Sequence, residues 1–342
     1  MDKILHRMIV LVALLLAADV AEAADSIRIF MKDLSTLDLP VAKVDSIVFI
    51  HHDSVKADAL GLISVPGVDY KTQTAGGVGF RMAKVGAGKF WMGSQFNDKT
   101  EVNYDYYAFS DEAPVHRVTL TESYWIGQTE VTQALWRAVM GNDDTRKCNN
   151  PAFPMFNVSW YDCLDFCNKL SQMEGLTPYY NLTSEKYATS EDSFCYMVSA
   201  KVTTNELADG FRLPTEAQWE FAARGQYKSK EFIYAGSDSV NKVMWYAVNS
   251  GKCVHVVAQL SPNELGLYDM CGNVLEWSQD FNASYSAEAC IDPEGPASGY
   301  ERVARGGGYG SSLHYCSIAC RQKGYPEKAY SDCGFRIVCP AR

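Results

Sequence analysis

The chain has 342 residues and a formal net charge of −10, from 31 Lys and Arg against 41 Asp and Glu. That balance argues against a nucleic-acid partner, because phosphate binding is driven by clustered Lys and Arg and no such cluster occurs. No stretch reaches about 20 uninterrupted apolar residues, so no membrane span is expected.

At the N-terminus, Lys3 and Arg7 precede an apolar stretch over residues 8–18, and Ala21-Glu22-Ala23 supplies the small-x-small pattern of a signal peptidase site. Residues 1–23 are therefore expected to be a signal peptide, and the product secreted to the periplasm or surface of a bacterium. Residues 24–53 are predicted to form a small β appendage: strands at 27–31 and 46–50, joined by a polar segment containing Pro40. Residues 54–77 lose periodicity and gather Pro66, Gly67, Gly76 and Gly77, which suits a linker. The remainder, 78–342, reads as one large domain.

Within that domain, 80–85 and 88–94 are predicted to pair as a hairpin, and 116–120 alternates like a half-buried strand. Three helices are announced by their caps. Thr132 precedes 133–140, which Gly141 stops; Ser159 precedes 160–173, with Asp162 placed for a capping box; Thr215 precedes 216–224, with Gln218 at the box position and Gly225 at the exit. Beyond Gly225 strands and turns dominate, so the fold class is α+β, with long irregular connections. All 11 cysteines lie at or after Cys148, and an oxidising compartment would allow disulfides among them; the odd count leaves at least one thiol over.

Trp160, Trp219 and Trp277 each stand beside a cap or turn, where a buried ring anchors a loop-rich core. Arg212 and Arg336 are expected to satisfy a buried ion pair or loop carbonyls. Cys163 and Cys167, four apart on one helical face, are read as small apolar packing.

The motifs Lys89-Phe90-Trp91-Met92-Gly93-Ser94, Gln128-Thr129-Glu130-Val131-Thr132, Phe211-Arg212-Leu213-Pro214-Thr215-Glu216, Gly266-Leu267-Tyr268-Asp269, Gly272-Asn273-Val274-Leu275-Glu276-Trp277, Arg305-Gly306-Gly307 and Gly334-Phe335-Arg336 occur in that order. In this they resemble the sulfatase-modifying-factor family, which includes the formylglycine-generating enzymes. The resemblance implies an irregular C-type-lectin-like fold with a groove built by C-terminal loops. The 44–49 end of the appendage is similar to short N-terminal pieces that precede varied domains in secreted bacterial proteins.

Two carboxylates seven positions apart in a tight turn, with carbonyls turned inward, would make the hard oxygen shell that Ca²⁺ prefers. The resemblance implies such a site with ligands Asp269, Gly272, Val274 and Glu276. A second calcium site of longer members would fall at 245–257, where carboxylates are lacking, and is not expected. The oxidase members carry two cysteines that bind copper as thiolates. Here the first position is Ser311 and the second Cys316. A serine hydroxyl is a poor Cu(I) ligand, so copper and oxidase chemistry are not expected, and Cys316 would be catalytic only in an oxidase. Cys320 leaves a shifted Cys-x-x-x-Cys pair as the alternative. Histidines at 116, 255 and 314 are too scattered for an iron site.

A binding function remains. Residues 308–321 lack Lys, Gln, Glu, Met and Trp, a composition that resembles the variable tracts of retroelement-diversified proteins on this same fold. Tyr309, Ser311, Ser312, His314, Tyr315 and Tyr325 are the expected contacts to a protein or glycan ligand.

Overall fold

The computed structural model describes the backbone of two strands near the N-terminus and residues 60–341, except 142–148 and 191–193. The chain divides into two units, Met1–Ser54 and Val55–Arg342. In the first, Ser26–Phe30 pairs antiparallel with Thr36–Pro40. The second strand thus lies in the segment expected to be a polar joint. Its Thr-Leu-Asp-Leu alternation has the two-residue period of a strand, and Pro40 sits at its end, where a missing N–H does least harm. The expected strand at 46–50, the signal peptide and Cys148 lie outside the described residues.

The second unit carries three helices: α1 (Gln133–Met140), α2 (Trp160–Met173) and α3 (Glu216–Ala223). All three are capped as the sequence predicts. The Thr132 side chain accepts the Leu135 amide, Gly141 closes α1 in the left-handed region at φ 71°, and complete capping boxes start α2 and α3. Each box satisfies two amides that the helix itself leaves unpaired.

One sheet runs in the order Val338–Pro340, Tyr124–Gly127, Val78–Val85, Tyr70–Ala75. Two expectations are corrected here. Residues 70–75, assigned to the linker, form an edge strand of this sheet, and Gly76-Gly77 is its hairpin turn with φ 54° and 82°. Consecutive positive φ values suit the two-residue turn whose twist matches the flanking strands, and glycine supplies them without strain. The predicted hairpin between 80–85 and 88–94 does not form. Both edges of Val78–Val85 are already taken, by Tyr70–Ala75 and Tyr124–Gly127, so Gly88–Met92 pairs instead with His116–Leu120 in a second sheet.

A third sheet has the order Arg321–Gly324, Arg302–Arg305, Leu275–Phe281, Cys333–Gly334. Tyr180–Thr189 and Cys195–Thr204 make a separate two-stranded ribbon. Trp160, Trp219 and Trp277 are fully buried. Each indole N–H finds an acceptor: Ser278 O at 2.9 Å, Glu276 Oε2 at 2.7 Å and Val158 O at 3.1 Å, respectively. A buried indole needs such a partner, and the rings therefore tie strand Leu275–Phe281 to both α2 and α3. Cys163 and Cys167 pack into the core as expected. No disulfide joins Cys167, Cys271, Cys316, Cys320, Cys333 or Cys339, all of them buried.

Candidate functional site

Strand Arg302–Arg305 delivers Arg305 into the interior, and Arg321 opens the neighbouring strand directly opposite it. The Arg305 guanidinium meets Glu220 and, at 3.4 Å, Glu216, both on α3. Its two terminal nitrogens also donate to main-chain carbonyls of the tract, Ile318 at 2.8 Å, Ala319 at 2.9 Å and Cys320 at 3.0 Å, while its Nε–H is buried without a partner. Arg321 forks onto Glu216 at 2.6 and 2.9 Å and donates to the carbonyls of Asp111 and Ala283 at 3.2 and 2.9 Å. Two glutamates one helical turn apart thus hold two arginines, of which Arg305 holds the backbone of residues 318–320 and Arg321 fixes the end of the tract. A planar fork with five donors is suited to this. Because the Arg305 bonds are to main-chain oxygens, they do not depend on which side chains residues 318–320 carry. Arg321, last residue of the tract, is itself an anchor and not a contact residue.

The structure separates the expected contact residues. Tyr315 is 44% exposed and lies against Phe109, with ring centroids 4.9 Å apart; His314 stacks on Tyr107 at 4.0 Å. Ser312 is exposed at the start of the short turn Leu313–Cys316. Tyr309 turns instead toward the small cluster around Phe156, Val254 and Val274, and its hydroxyl donates to Ser331 O at 3.3 Å. Ser311 serves the loop: its hydroxyl accepts the Gly308 amide at 3.0 Å and its carbonyl accepts the Ala247 amide at 3.0 Å. Tyr325 is 48% exposed in the turn after strand Arg321–Gly324. Sequence reasoning missed Tyr106, Tyr107 and Phe109, on the irregular segment between Gly88–Met92 and His116–Leu120. Their signal is aromatic density in a stretch with no periodicity. Tyr106 and Tyr107 are 71% and 56% exposed, so together with Tyr315 they offer an aromatic face.

At the positions matching the copper ligands, Cys316 is buried with its thiol against Ser312 O at 3.8 Å. Burial pushes the thiols of Cys316 and Cys320 up, away from the thiolate that a soft metal needs. Among the described residues no three His, Cys, Asp or Glu side chains are grouped so as to hold a metal.

The turn expected to hold calcium is wound through left-handed residues Asp269, Gly272 and Asn273, at φ 55°, 78° and 57°. Gly272 is required there, since a Cβ would stand 2.3 Å from the Trp245 carbonyl oxygen. Glu276 is fully committed: Arg336 forks onto both its oxygens at 2.6 Å, and Trp219 adds a third bond. Arg336 also donates to Gly127 O and Tyr268 O at 2.9 Å each, as expected for a buried donor to loop carbonyls. Asp269 accepts the Ala258 amide on one oxygen, while the other is buried with no hydrogen-bond partner. Both oxygens of Glu130, a residue the sequence reading did not single out as a ligand, are likewise buried and without a partner. Burial and the neighbouring Asp269 push Glu130 well up, and burial lifts Asp269 to about 6. Three buried carboxylates therefore face one guanidinium, with three oxygen atoms lacking donors. These oxygens are of the hard type that Ca²⁺ prefers, while the three carboxylates do not by themselves close into a metal cluster.

Two further buried carboxyls carry a pH prediction. Burial lifts Glu112, which accepts the Ser94 hydroxyl, to about 7; burial and then adjacent Glu216 lift Asp280 to about 7. Both folded values lie above the unfolded ones, so the fold retains protons that the unfolded chain has released. Their contribution to stability is complete below about pH 4 and is lost as the pH rises through 7, at up to about 1.4 kcal/mol per pH unit for each group. Urea midpoints should accordingly fall between pH 5 and pH 8. Glu112→Gln should flatten that slope, and an unchanged slope would refute the assignment to Glu112.

The sequence profile of the sulfatase-modifying factor enzyme 1-like domain matches residues 71–341. The chain belongs to this family. Its fold is the α+β fold of the formylglycine-generating enzymes. The chaperone protein LppX of Paenibacillus barcinonensis is 36% identical over 238 residues, which cover 65% of this chain and 81% of that protein. The formylglycine-generating enzyme of Bos taurus is 28% identical over 244 residues, 66% of this chain but 54% of the enzyme; the chain thus spans about half the length of that relative. Among solved structures, Treponema denticola variable protein 1 superposes with a TM-score of 0.65 at 34% identity, covering 79% of this chain and 99% of that one. No helix among the described residues is long and apolar enough to cross a membrane.

Proposed function

We propose that this family member is an exported, non-catalytic binding protein whose ligand, a protein or a glycan, is contacted by the C-terminal tract. The observation that carries the reading is the clamp: Arg305 holds residues 318–320 by their carbonyls and Arg321 pins the end of the tract to Glu216, leaving Ser312, His314 and Tyr315 to meet a ligand. Likeness to Treponema denticola variable protein 1 and to the chaperone protein LppX supports it, as does Ser311 at the first copper position. Replacing Ser312, His314 and Tyr315 together by alanine should lower the unfolding free energy by no more than about 3 kcal/mol, the loss of the His314–Tyr107 and Tyr315–Phe109 ring contacts, and leave the protein folded. The same variant should lose the wild type's pattern on a glycan and protein array. An unchanged pattern would count against the tract as the contact surface.

The second reading, a copper-dependent oxidase acting on sulfatase cysteines, is disfavoured because one thiolate in register cannot form the two-thiolate centre. Copper-loaded, reduced protein should leave the cysteine of a sulfatase-type peptide unchanged in mass. Aldehyde formation that Cys316→Ala abolishes would reverse the assignment.

A calcium ion belongs to the same proposal as a structural cofactor. Asp269 and Glu130 would supply side-chain oxygens and Gly272 and Val274 carbonyls, with Glu276 engaged by Arg336. Bound only by the fold, the ion adds about 2.7 kcal/mol at a concentration one hundred times its Kd. Chelator should lower the melting temperature, and Glu130→Gln should remove the difference between chelator and calcium. Coincident melting curves for the wild type would exclude the site.

A further inference from the structure

Beside the tract lies a cavity of about 280 Å³, walled by segments 99–105, 231–233 and 317–319. We infer that it is a subsite for a cationic side chain, arginine or lysine, presented by a protein ligand, an inference that rests on the binding reading above.

Charge is the first argument. Glu101, Asp105 and Glu231 line the cavity together with Lys99 and Arg224. Arg224 is already committed, paired to Glu220 at 2.8 Å and donating to Gly93 O at 2.9 Å. Among the lining residues three carboxylates thus face the single remaining ammonium of Lys99, and the cavity carries surplus negative charge. The lining also includes the aromatic residues Tyr104 and Phe232, a residue type whose ring faces attract cations.

Size and order narrow the occupant. The volume far exceeds a bare metal ion and falls just below the range of drug-sized pockets, which suits one long side chain. The outer wall is preorganised. The Gln95 carboxamide bonds to the amides of Asn97 and Asp98 and to Asp98 O, while Asn103, left-handed at φ 55°, is held by Trp91 O and Gly93 O at 2.7 and 2.8 Å. A wall already ordered loses little freedom on binding. The inner wall at 317–319 is the segment that Arg305 pins. Exposed Tyr106 and Tyr107 follow the Asp105 wall in sequence and Tyr315 precedes the Ser317 wall, so a macromolecule seating a side chain here would cover these rings.

The test titrates the intact protein with the peptide acetyl-Gly-Arg-Gly-amide and with its citrulline counterpart, read by calorimetry or by amide shifts. The arginine peptide should bind about tenfold tighter, the expected effect of one charge-assisted hydrogen-bonded contact, and binding should weaken with salt. Glu101→Gln combined with Glu231→Gln, both at exposed positions, should abolish that preference with the melting temperature unchanged. Equal binding of the two peptides, no saturable binding at millimolar concentration, or a preference that survives the double variant would each overturn the inference. The array result for the tract variant is independent of this titration, so a failure here with a changed array pattern removes the cationic subsite and leaves the binding surface standing.

Discussion

Arg305→Met is expected to lower the unfolding free energy by about 3–5 kcal/mol, the range for breaking a buried ion pair from one side. The substitution strands Glu220, fully buried, without one of its two guanidinium partners, and leaves the carbonyls of Ile318, Ala319 and Cys320 without these donors. Methionine fills much of the volume, so the loss measures charge and hydrogen bonding more than a cavity. Urea denaturation gives the magnitude. Limited proteolysis gives the location, with cleavage expected to appear first within residues 308–320. Adding Glu220→Gln should recover part of the stability, because the stranded charge is then gone; full additivity of the two changes would mean the pair is not coupled. A loss under 1 kcal/mol would show that the clamp is not the element holding the tract.

Arg336→Met should be comparably severe, again about 3–5 kcal/mol in chelator. It removes the fork on Glu276 and the donors to Gly127 O and Tyr268 O, which tie the Glu130 turn to the Asp269 turn. Here a cation should compensate. With the guanidinium gone, three carboxylates share the pocket, and calcium should recover more stability in the variant than in the wild type. Differential scanning calorimetry of both proteins in chelator and in calcium measures the two increments. Equal increments would place the ion away from Arg336.

Much of the fold was legible because its signals are local. Thr132, Ser159 and Thr215 announce helices through bonds made within three residues, and each was found where its cap predicts. Partner choice between strands is not local. Residues 80–85 and 88–94 have the look of a hairpin, yet the edge that a hairpin would need is occupied by Tyr124–Gly127, nearly forty residues on. Gly76-Gly77 gives the same composition whether it is a linker or a tight turn, and the polar strand Tyr70–Ala75 before it has too little apolar alternation to decide. At the site, the motif around residues 269–276 marks the turn that carries Asp269 and Glu276, and Arg336 was rightly read as a buried donor. What spacing could not show is that Arg336 occupies both Glu276 oxygens while Glu130, some 140 positions earlier, lies beside Asp269 with none of its own bonded. The aromatic partners Tyr107 and Phe109 stayed hidden for a similar reason: they meet His314 and Tyr315 from another part of the chain.

Arg305 and Arg321 face each other across two paired strands, and both are bolted to the same helix. The ends of the intervening loop are therefore fixed in space before the loop itself is specified. For a loop with fixed ends the entropy of closure grows only with the logarithm of its length, about 0.6 kcal/mol for each doubling. Gly310, exposed and with no heavy atom near the position of a Cβ, marks the tip where residues could be inserted. The architecture therefore tolerates change in the length of this segment as well as in its letters, and a few added residues at the tip would extend the reach of the surface for a few tenths of a kcal/mol.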